Sequence, residues 1–306
     1  MFNKKNIKKY FWGIGYGLLL TAFTIYLALD TFVLSNVVKE LPATDNTRRN
    51  QSENFVPQDK ITISENNETS YKDDNISIAL TTYREYDTQI YVADVTVSDP
   101  TFLQTALAKN SYGKNVKEKT SEMAKNVGAI LAVNGDYYGA REKGYVIRNS
   151  VLCRETPSDR EALVMWSDGS LGIINEGEIS AQTLLDEGAV NVLSFGPGLI
   201  DNGNVLVDEH DEVGQATTSN PRTAIGIVDD LHYIFVVSDG RTDESAGLSL
   251  FELANFMQQL GATCAYNLDG GGSSTMVFNG EIVNNPVNRG SKISERSVSD
   301  IVYIGY

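Results

Sequence analysis

The amino-terminal part of the chain contains one long apolar segment that predicts a membrane-spanning helix. No charged residue occurs from Tyr10 to Leu29, and about 20 apolar residues allow a helix to cross about 30 Å of hydrocarbon. Four lysines precede the segment, the last of them Lys9, and positive charge before a span keeps that end in the cytoplasm. The pattern predicts a basic cytoplasmic tip at 1–9, a transmembrane anchor at 10–29, and an extracellular body in type II topology. The alternative is a cleaved signal peptide, whose apolar region is usually only about 7–15 residues long.

Residues 30–74 lose the apolar pattern. Asn, Asp, Glu, Ser and Thr dominate there, and neither the helical nor the strand period persists. Such a segment cannot bury enough apolar surface to offset the entropy lost on ordering. We therefore predict a flexible stalk over 30–74 and a folded domain over 75–306.

From residue 75 onward, short alternating runs separated by turn dipeptides predict strands joined in hairpins. Five strand pairs are predicted: ISIALTTYRE with QIYVADVTV, LVMW with LGII, GLI with VLV, AIGIV with LHYIFVV, and TMVF with EIV. Three helices are predicted, the first opened by Asp99 and Pro100, the second near Ser121 to Asn126, and the third from Ser249 to Leu260. The fold class is therefore α+β, a strand-rich mixed sheet with a few helices.

Two segments of the body resemble each other. VGAILAVNGDYYG at 127–139 aligns with LGATCAYNLDGGG at 260–272, and each runs from a helix end through a strand into Asn-x-Asp. Shared composition is one explanation. The other is an internal pseudo-repeat, a pair of helix–strand units in one sheet whose Asn-x-Asp ends face a common cleft. Two carboxylates facing one site are the groups that glycoside hydrolysis uses.

The most informative local motif follows the second of these strands. Asn267 and Asp269 lead into three glycines and a run of hydroxyl residues. Glycines let a backbone approach a ligand closely, and successive N–H groups with hydroxyls bind anions. This predicts Asp269 as a catalytic carboxylate and an anion cradle formed by Gly270, Gly271, Gly272, Ser273 and Ser274. The alternative is a flexible Gly-Ser loop.

Further candidates lie beside other predicted strands. Asn134 and Asp136 belong to the Asn-Gly-Asp-Tyr-Tyr-Gly segment, where Tyr137 could stack on a sugar ring, although an ordinary Asn-Gly turn is the alternative. Arginine has a planar fork suited to phosphate or carboxylate. The candidates for anion binding, each with a surface ion pair as the alternative, are Arg222, Arg241 with its neighbour Asp239, and Arg296.

Composition removes several classes of function. Lys plus Arg is 25 and Asp plus Glu is 40, so the net charge of −15 argues against a nucleic-acid binder. Two Cys and two His exclude most zinc sites. His210 lies in an acidic loop that is either solvated or a divalent-cation site, so no cofactor is predicted and a cation is left open. Cys153 and Cys264 either pair outside the cell or remain free.

Several of these motifs, in order, resemble the phosphodiester glycosidase family over roughly residues 80–306. They are PRTAIGI, VVSDGR, NLDGGGSSTM and ERSVSDIVYI. The segment NGDYYG is similar to the Asn-Gly-x-Phe/Tyr-Phe segment of the family, but Asp136 stands where glycine is frequent, which weakens its case as a catalytic residue. The resemblance implies cleavage of a sugar-1-phosphodiester at the glycosidic bond, which releases the sugar and leaves a phosphomonoester.

The resemblance and the residues together predict an extracellular, membrane-anchored glycosidase that acts on a phosphorylated glycan of the cell envelope. N-Acetylglucosamine-1-phosphodiester is one candidate substrate. Asp269 is the first choice for the catalytic carboxylate and Asp136 the second. Two alternatives remain open: a non-catalytic binder of phosphorylated glycans, or a processing factor for exopolysaccharide or teichoic-acid-like polymers.

Overall fold

The computed structural model describes residues 4–41, 61–63, 69–212, 219–289 and 292–306. The helices of these ranges are α1 (Lys4–Phe32), α2 (Thr120–Val127), α3 (Ala181–Asp186) and α4 (Leu250–Gln259). The strands are β1 (Asn36–Glu40), β2 (Ile61–Ile63), β3 (Thr69–Lys72), β4 (Ile76–Glu85), β5 (Thr88–Val97), β6 (Leu103–Leu107), β7 (Ser111–Lys114), β8 (Glu118–Lys119), β9 (Leu131–Asn134), β10 (Val146–Arg148), β11 (Val151–Arg154), β12 (Glu161–Trp166), β13 (Leu171–Asn175), β14 (Ala189–Leu193), β15 (Gly198–Asp201), β16 (Asn204–Val205), β17 (Thr223–Asp229), β18 (His232–Ser238), β19 (Cys264–Asn267), β20 (Met276–Phe278), β21 (Glu281–Ile282), β22 (Val287–Arg289), β23 (Lys292–Ile293), β24 (Ser297–Val298) and β25 (Asp300–Ile304).

Three larger sheets form the body. The first has nine strands in the order β16-β15-β19-β17-β18-β5-β4-β3-β2. The second has the order β21-β20-β9-β25-β6, and the third β11-β10-β14-β12-β13. Their strand pairs are antiparallel. The predicted strand-rich α+β class with few helices is confirmed.

The first sheet turns one face to a core shared by all three sheets and covers the other with α4. Along β18, Tyr233, Phe235 and Val237 belong to the shared core, whereas Ile234 and Val236 pack in the cluster beneath α4. This is the period of two that a strand imposes on its side chains. Both faces of β18 are apolar because both are covered.

The other two sheets repeat this arrangement. Met123 and Ala124 of α2 pack on the second sheet, and Ala181 and Leu184 of α3 pack on the third. Each of these sheets also contributes residues to the shared core. One helix therefore closes the outer face of each sheet.

The alternation of apolar residues predicted most elements. All five strand pairs form hairpins, and α2 and α4 lie where they were predicted. Ser249 caps α4, and its side chain and that of Glu252 form a reciprocal capping box.

The helix predicted after Asp99 and Pro100 is wrong. A short 3-10 turn at Pro100–Phe102 leads directly into β6, which pairs with β25. Leu103 and Leu107 alternate inward along β6, so packing of the strand overrides the helical propensity of this segment. The short helix α3 was missed because six residues show no clear helical period.

The range predicted as a stalk contains strands of the body. β3 pairs with β4, so the folded domain begins before residue 75. β1 pairs with β7. The remainder of the stalk prediction, at 42–60 and 64–68, lies outside the described residues.

The two Asn-x-Asp segments come from different sheets. β9 belongs to the second sheet and β19 to the first, so the expectation of one shared sheet is wrong. Their carboxyl ends nevertheless meet. The Asp269 N–H donates to the Gly135 carbonyl at 3.1 Å, and Asn134 Nδ2 donates to the Asp269 carbonyl at 2.6 Å.

A fully buried arginine joins the third sheet to the second. Arg148 ends β10, and its Nη2 lies 2.8 Å from Asp136 Oδ2 and 2.6 Å from Asp300 Oδ2. Burial and the neighbouring Asp136 carboxylate raise the pKa of Asp300, although Arg148 opposes this. We call these three residues the ion triad. Because one guanidinium faces two carboxyl groups, the folded protein favours the protonated form of Asp300 more than water does.

Removing the Arg148 side chain should lower the free energy of unfolding of the domain. Arg148→Met leaves two buried carboxyl groups without their cation, so we expect a loss of about 3–5 kcal/mol in the free energy of unfolding. The melting temperature should then fall by roughly 10 °C. The exposed Arg84→Met is the matched control and should change it by about 1–2 °C. Equal melting temperatures for the two variants would contradict a structural role for the triad.

Candidate active site

Asp269 lies two residues after the end of β19, and its carboxyl group is buried among arginines. The residue is 8% exposed. Burial raises the pKa of Asp269 to about 6, while the Ser273 hydroxyl, Arg296 and Arg141 act in the opposite direction. The Ser273 oxygen lies beside the carboxylate without regular hydrogen-bond geometry. With a pKa of about 6, the Asp269 carboxyl group is mostly ionised at neutral pH. It becomes half-protonated at about pH 6.

The three glycines after Asp269 give the arginines room to approach. Gly271 has φ +63°, and a Cβ built on it would lie 2.8 Å from Arg241 Nη2. A Cβ on Gly272 would lie 2.8 Å from Arg296 Nη2. Both guanidinium groups therefore lie against bare backbone, and any side chain in the loop would displace them.

The backbone of this loop is largely engaged within the protein. The Gly271 N–H donates to the Pro221 carbonyl at 2.8 Å, and the Ser273 and Ser274 N–H groups donate to carbonyls inside the loop. The predicted cradle of free N–H groups is therefore mostly occupied. The capacity to bind an anion lies with the arginines instead.

Asparagine and carbonyl groups hold the three predicted arginines in position. Arg241 Nε and Nη2 donate to Asn220 Oδ1 at 3.2 and 3.0 Å, and Arg296 Nε donates to Asn288 Oδ1 at 3.2 Å. Arg222 Nε donates to the Leu248 carbonyl at 2.9 Å. These contacts fix each guanidinium without neutralising it.

The three arginines are close enough to influence one another. Burial lowers the pKa of Arg241, and the charges of Arg296 and Arg222 lower it further. Within the described ranges, Arg222 is the one of the three with a carboxylate partner, Glu212 Oε2 at 2.6 Å. The cluster of Arg222, Arg241 and Arg296, which we call the arginine cluster, therefore carries a surplus of positive charge beside Asp269.

The family model described as phosphodiester glycosidase matches residues 127–305, more than half of the chain. The chain belongs to the phosphodiester glycosidase family. The resemblance noted in the sequence is thereby confirmed, and the matched range contains every candidate residue from Asn134 to Arg296.

Similar proteins include enzymes of mammals and a phage-derived protein. The chain is 36% identical to mouse N-acetylglucosamine-1-phosphodiester alpha-N-acetylglucosaminidase over 129 residues, 38% of this chain and 25% of that protein. It is 29% identical to the SPbeta prophage-derived uncharacterized protein YomE of Bacillus subtilis over 203 residues, 64% of this chain and 31% of that protein. The chain thus spans about a third or less of these relatives.

Solved structures share the fold of this phosphodiester glycosidase domain. The catalytic domain of zebrafish N-acetylglucosamine-1-phosphodiester alpha-N-acetylglucosaminidase, auto-inhibited by its pro-peptide, superimposes with a TM-score of 0.60 at 22% identity. The match covers 76% of this chain and 83% of that chain. A hypothetical protein from Synechocystis matches with a TM-score of 0.58 at 18% identity and covers 76% of this chain and 62% of that chain.

In the phosphodiester glycosidase domain, the side chains of several predicted site residues form hydrogen bonds within the protein. Asn134 Oδ1 accepts from the Thr223 hydroxyl at 2.8 Å and the Thr275 N–H at 3.1 Å. Asn267 Nδ2 donates to the Gly196 carbonyl at 2.8 Å. These amides fix the ends of β9 and β19 and position the backbone that carries Asp269.

The two other predicted carboxylates are also engaged. Asp136 accepts from the Tyr138 and Ser194 N–H groups besides its contact with Arg148 in the ion triad. Asp239 accepts from the Tyr91 hydroxyl at 3.2 Å and the Asn285 N–H at 2.8 Å. Both carboxylates therefore accept hydrogen bonds from fixed donors of the protein.

Hydroxyl groups and one aromatic ring complete the predicted set. Ser273, Ser274 and Thr275 are fully buried, and their side-chain oxygens have no hydrogen-bond partner among the described residues. Tyr137 is 36% exposed, which leaves its ring accessible to a ligand. The structure thus brings together Asp269, the arginine cluster, the glycines and the serines.

Sequence reasoning missed Arg141. Its guanidinium carbon lies 4.8 Å from the ring centroid of Phe195, and its Nη1 donates to the Ser194 carbonyl at 3.1 Å. Its charge lowers the pKa of Asp269, so it lies near that carboxylate. A single arginine in a loop after two tyrosines has no distinctive spacing, and only the fold brings it to the site.

The remaining sequence candidates do not join this site. In the described part of the chain, no group of three or more His, Cys, Asp or Glu residues could hold a metal ion. His210 lies in an exposed turn in which its N–H donates to Asp208. Cys153 and Cys264 are both free thiols.

The pKa of Asp269 can be measured directly. We expect its ¹³C-labelled carboxyl resonance, assigned from its absence in Asp269→Asn, to titrate near pH 6. Arg141→Gln should raise this pKa, because it removes a positive charge that favours the ionised form. Arg84→Gln, on an exposed arginine, is the control and should leave it unchanged. A midpoint near pH 4 would show that the carboxyl group is solvated.

Proposed function

We propose that this protein hydrolyses a glycosyl phosphodiester. The observation that carries the proposal is one buried carboxylate, Asp269, beside an arginine cluster with surplus positive charge. The proposed reaction breaks the bond between the anomeric carbon and the phosphate oxygen. It releases the sugar and leaves a phosphomonoester on the aglycone.

The arginine cluster would bind the phosphate. The protein has a net charge of −15, so an anionic substrate needs locally concentrated positive charge to approach it. Arg241 and Arg296 are the best candidates, because neither has a carboxylate partner within the described ranges. Fixed guanidinium groups stabilise the charge that develops on the departing phosphate without having to reorganise.

Asp269 would act on the other side of the scissile bond. In its ionised form it either accepts a proton from an attacking water or attacks the anomeric carbon itself. In the second route, water then hydrolyses the glycosyl–Asp269 ester, which releases the sugar and restores the carboxyl group. As the new bond to the anomeric carbon forms, the phosphate oxygen takes the electron pair of the old one. A phosphomonoester is a good leaving group, so a second carboxyl group acting as general acid is not required.

Asp136 then has a structural role. Its carboxylate lies in the ion triad, so we assign catalysis to Asp269 alone. Arg141 would keep Asp269 ionised, and Tyr137 would stack on the sugar ring. The printed name of the mouse relative makes N-acetylglucosamine the first sugar to test.

A transmembrane anchor would keep the enzyme on the cell surface. The apolar part of α1, Phe11–Phe32, has 22 residues, and none of it is buried within the protein. At about 1.5 Å per residue it spans the hydrocarbon core of a bilayer. We infer a retained anchor with the body outside, and glycans of the cell envelope as the substrate pool.

Asp269→Asn tests the catalytic assignment. On N-acetylglucosamine-1-phosphodiesters, with released sugar detected by mass, we expect turnover to fall by about 10² or more while substrate still binds. In the wild type, kcat/KM should rise through pH about 6, because the ionised carboxylate is the active form.

Asp201→Asn, at the end of β15, which pairs with β19, is the matched control and should keep wild-type turnover. Turnover of Asp269→Asn within a few-fold of wild type would remove Asp269 from the chemistry. A wild-type protein that binds these diesters but releases no sugar would be a non-catalytic binder.

The anchor has its own test. Protease added to intact cells should digest the body and spare the basic segment before α1, as type II topology requires. Protease added to permeabilised cells is the control and should reach both. A mature protein that begins after Leu29 would show that the segment is a cleaved signal peptide.

A further inference from the structure

The segment that follows α1 is attached to the body. α1 ends at Phe32 and β1 begins at Asn36, so three residues join them. Three residues can span at most about 10 Å. The body is therefore held next to the end of the apolar helix.

Several contacts fix this attachment. β1 pairs along its length with β7, from Asn36 opposite Lys114 to Glu40 opposite Ser111. Lys39 Nζ donates to the Leu152 carbonyl at 3.1 Å. A Cβ on Gly113 would collide with the β1 backbone, so this close pairing depends on a glycine at that position.

The attachment continues on both sides of β1. Before it, Asn115 Nδ2 donates to the Thr31 and Leu34 carbonyls at 3.1 and 3.3 Å and so contacts the end of α1. After it, Leu41 is buried in a cluster with Tyr138 and Val146. Because both ends of β1 are held, the segment is part of the folded body.

The surface around this attachment is apolar. Phe32, Val33, Leu34, Val37 and Val38 are exposed large hydrophobic residues. Exposed hydrophobic residues that directly follow an apolar helix of bilayer length are positioned at the membrane interface. The occupant of this surface is therefore the lipid bilayer in which α1 is embedded.

The candidate active site lies close to β1. The Tyr112 ring of β7 stacks on the Tyr138 ring at a centroid distance of 5.4 Å, and the Asn115 N–H donates to the Gly139 carbonyl at 3.0 Å. Tyr138 and Gly139 lie in the loop from Tyr137 to Arg141. The charge of Arg141 lowers the pKa of Asp269. One strand and one loop thus separate the membrane-attached segment from the catalytic carboxylate.

We propose that β1 holds the body against the membrane surface and that the substrate is a glycosyl phosphodiester whose aglycone is embedded in the same bilayer. This rests on the proposed function and names the substrate class. A site held near the surface meets membrane-embedded molecules at a high effective concentration. It also keeps one orientation toward them, which a flexible stalk would not provide.

The test compares two probes on the full chain reconstituted in phosphatidylcholine–phosphatidylglycerol vesicles. One probe is the N-acetylglucosamine-1-phosphodiester of a dialkylglycerol in the same vesicles. The other is the N-acetylglucosamine-1-phosphodiester of glycerol in solution. A rigid helical spacer of about 20 residues inserted after Ser35 should lift the body by about 30 Å. A Gly-Ser spacer of equal length is the matched control, because it lets the body return to the surface.

We expect the rigid spacer to reduce cleavage of the lipid probe at least tenfold and to leave cleavage of the soluble probe within twofold. The Gly-Ser spacer should retain most of the activity on the lipid probe. Undiminished cleavage of the lipid probe with the rigid spacer overturns the proposal, as does a wild type that cleaves the soluble probe alone. Either result leaves the glycosidase function intact.

A cross-link measures the attachment independently of turnover. In a Cys153→Ser background, Asn36→Cys with Lys114→Cys should react within one chain with a short bis-maleimide, whereas Asn36→Cys alone should not. Failure of the pair to cross-link overturns the attachment of β1. A cross-linked protein that cleaves neither probe overturns the proposed function, and the substrate assignment with it.

Discussion

The buried contact of Arg148 with Asp136 and Asp300 is the interaction on which the site depends. Asp300 begins β25 of the second sheet, Asp136 lies in the loop just after β9 of that sheet, and Arg148 ends β10 of the third, so the triad fixes how these sheets meet. All three side chains are inaccessible to water. A charge without a partner in such surroundings costs several kcal/mol, which makes other arrangements of the two sheets unfavourable. Because Arg148 holds Asp136 in place, the loop that follows Asp136 is also fixed, and it places Arg141 near Asp269.

The two Asn-x-Asp segments show how surroundings determine the role of the same residue type. Asp136 receives two backbone N–H groups and an arginine inside the core, where it serves packing. Asp269 follows an equivalent strand but is followed by three glycines, which allow Arg241 and Arg296 to approach. The first carboxylate is enclosed, whereas the second lies beside positive charge that has no fixed carboxylate partner. Sequence similarity between the segments therefore does not imply a pair of catalytic acids.

Local patterns predicted much of the fold, because hairpins and capped helices depend on residues close together in the chain. The alternation in β17 and β18 and the predicted start of α4 at Ser249 are examples. β6 was missed because its strand form depends on pairing with β25, almost 200 residues later. The sequence also did not predict the ion triad, because only the tertiary fold brings Asp136, Arg148 and Asp300 together. Asp269 was identifiable because its glycine-rich context is local, whereas Arg141 has no local signature.

The raised pKa of Asp300 in the ion triad makes the stability of the fold depend on pH. In the unfolded chain, Asp300 would titrate near pH 4, but in the folded body its pKa is raised, so folding takes up a proton above that value. The raised pKa of Asp269 adds to this uptake up to about pH 6. Both carboxyl groups favour the folded state most strongly below pH about 4, and this contribution is lost as the pH rises through their folded-state pKa values. Asp73, whose pKa is lowered by hydroxyl groups of Tyr306 and Tyr71 despite partial burial, acts in the opposite sense. Asp269 and Asp300 therefore stabilise the folded domain in mild acid relative to neutral pH.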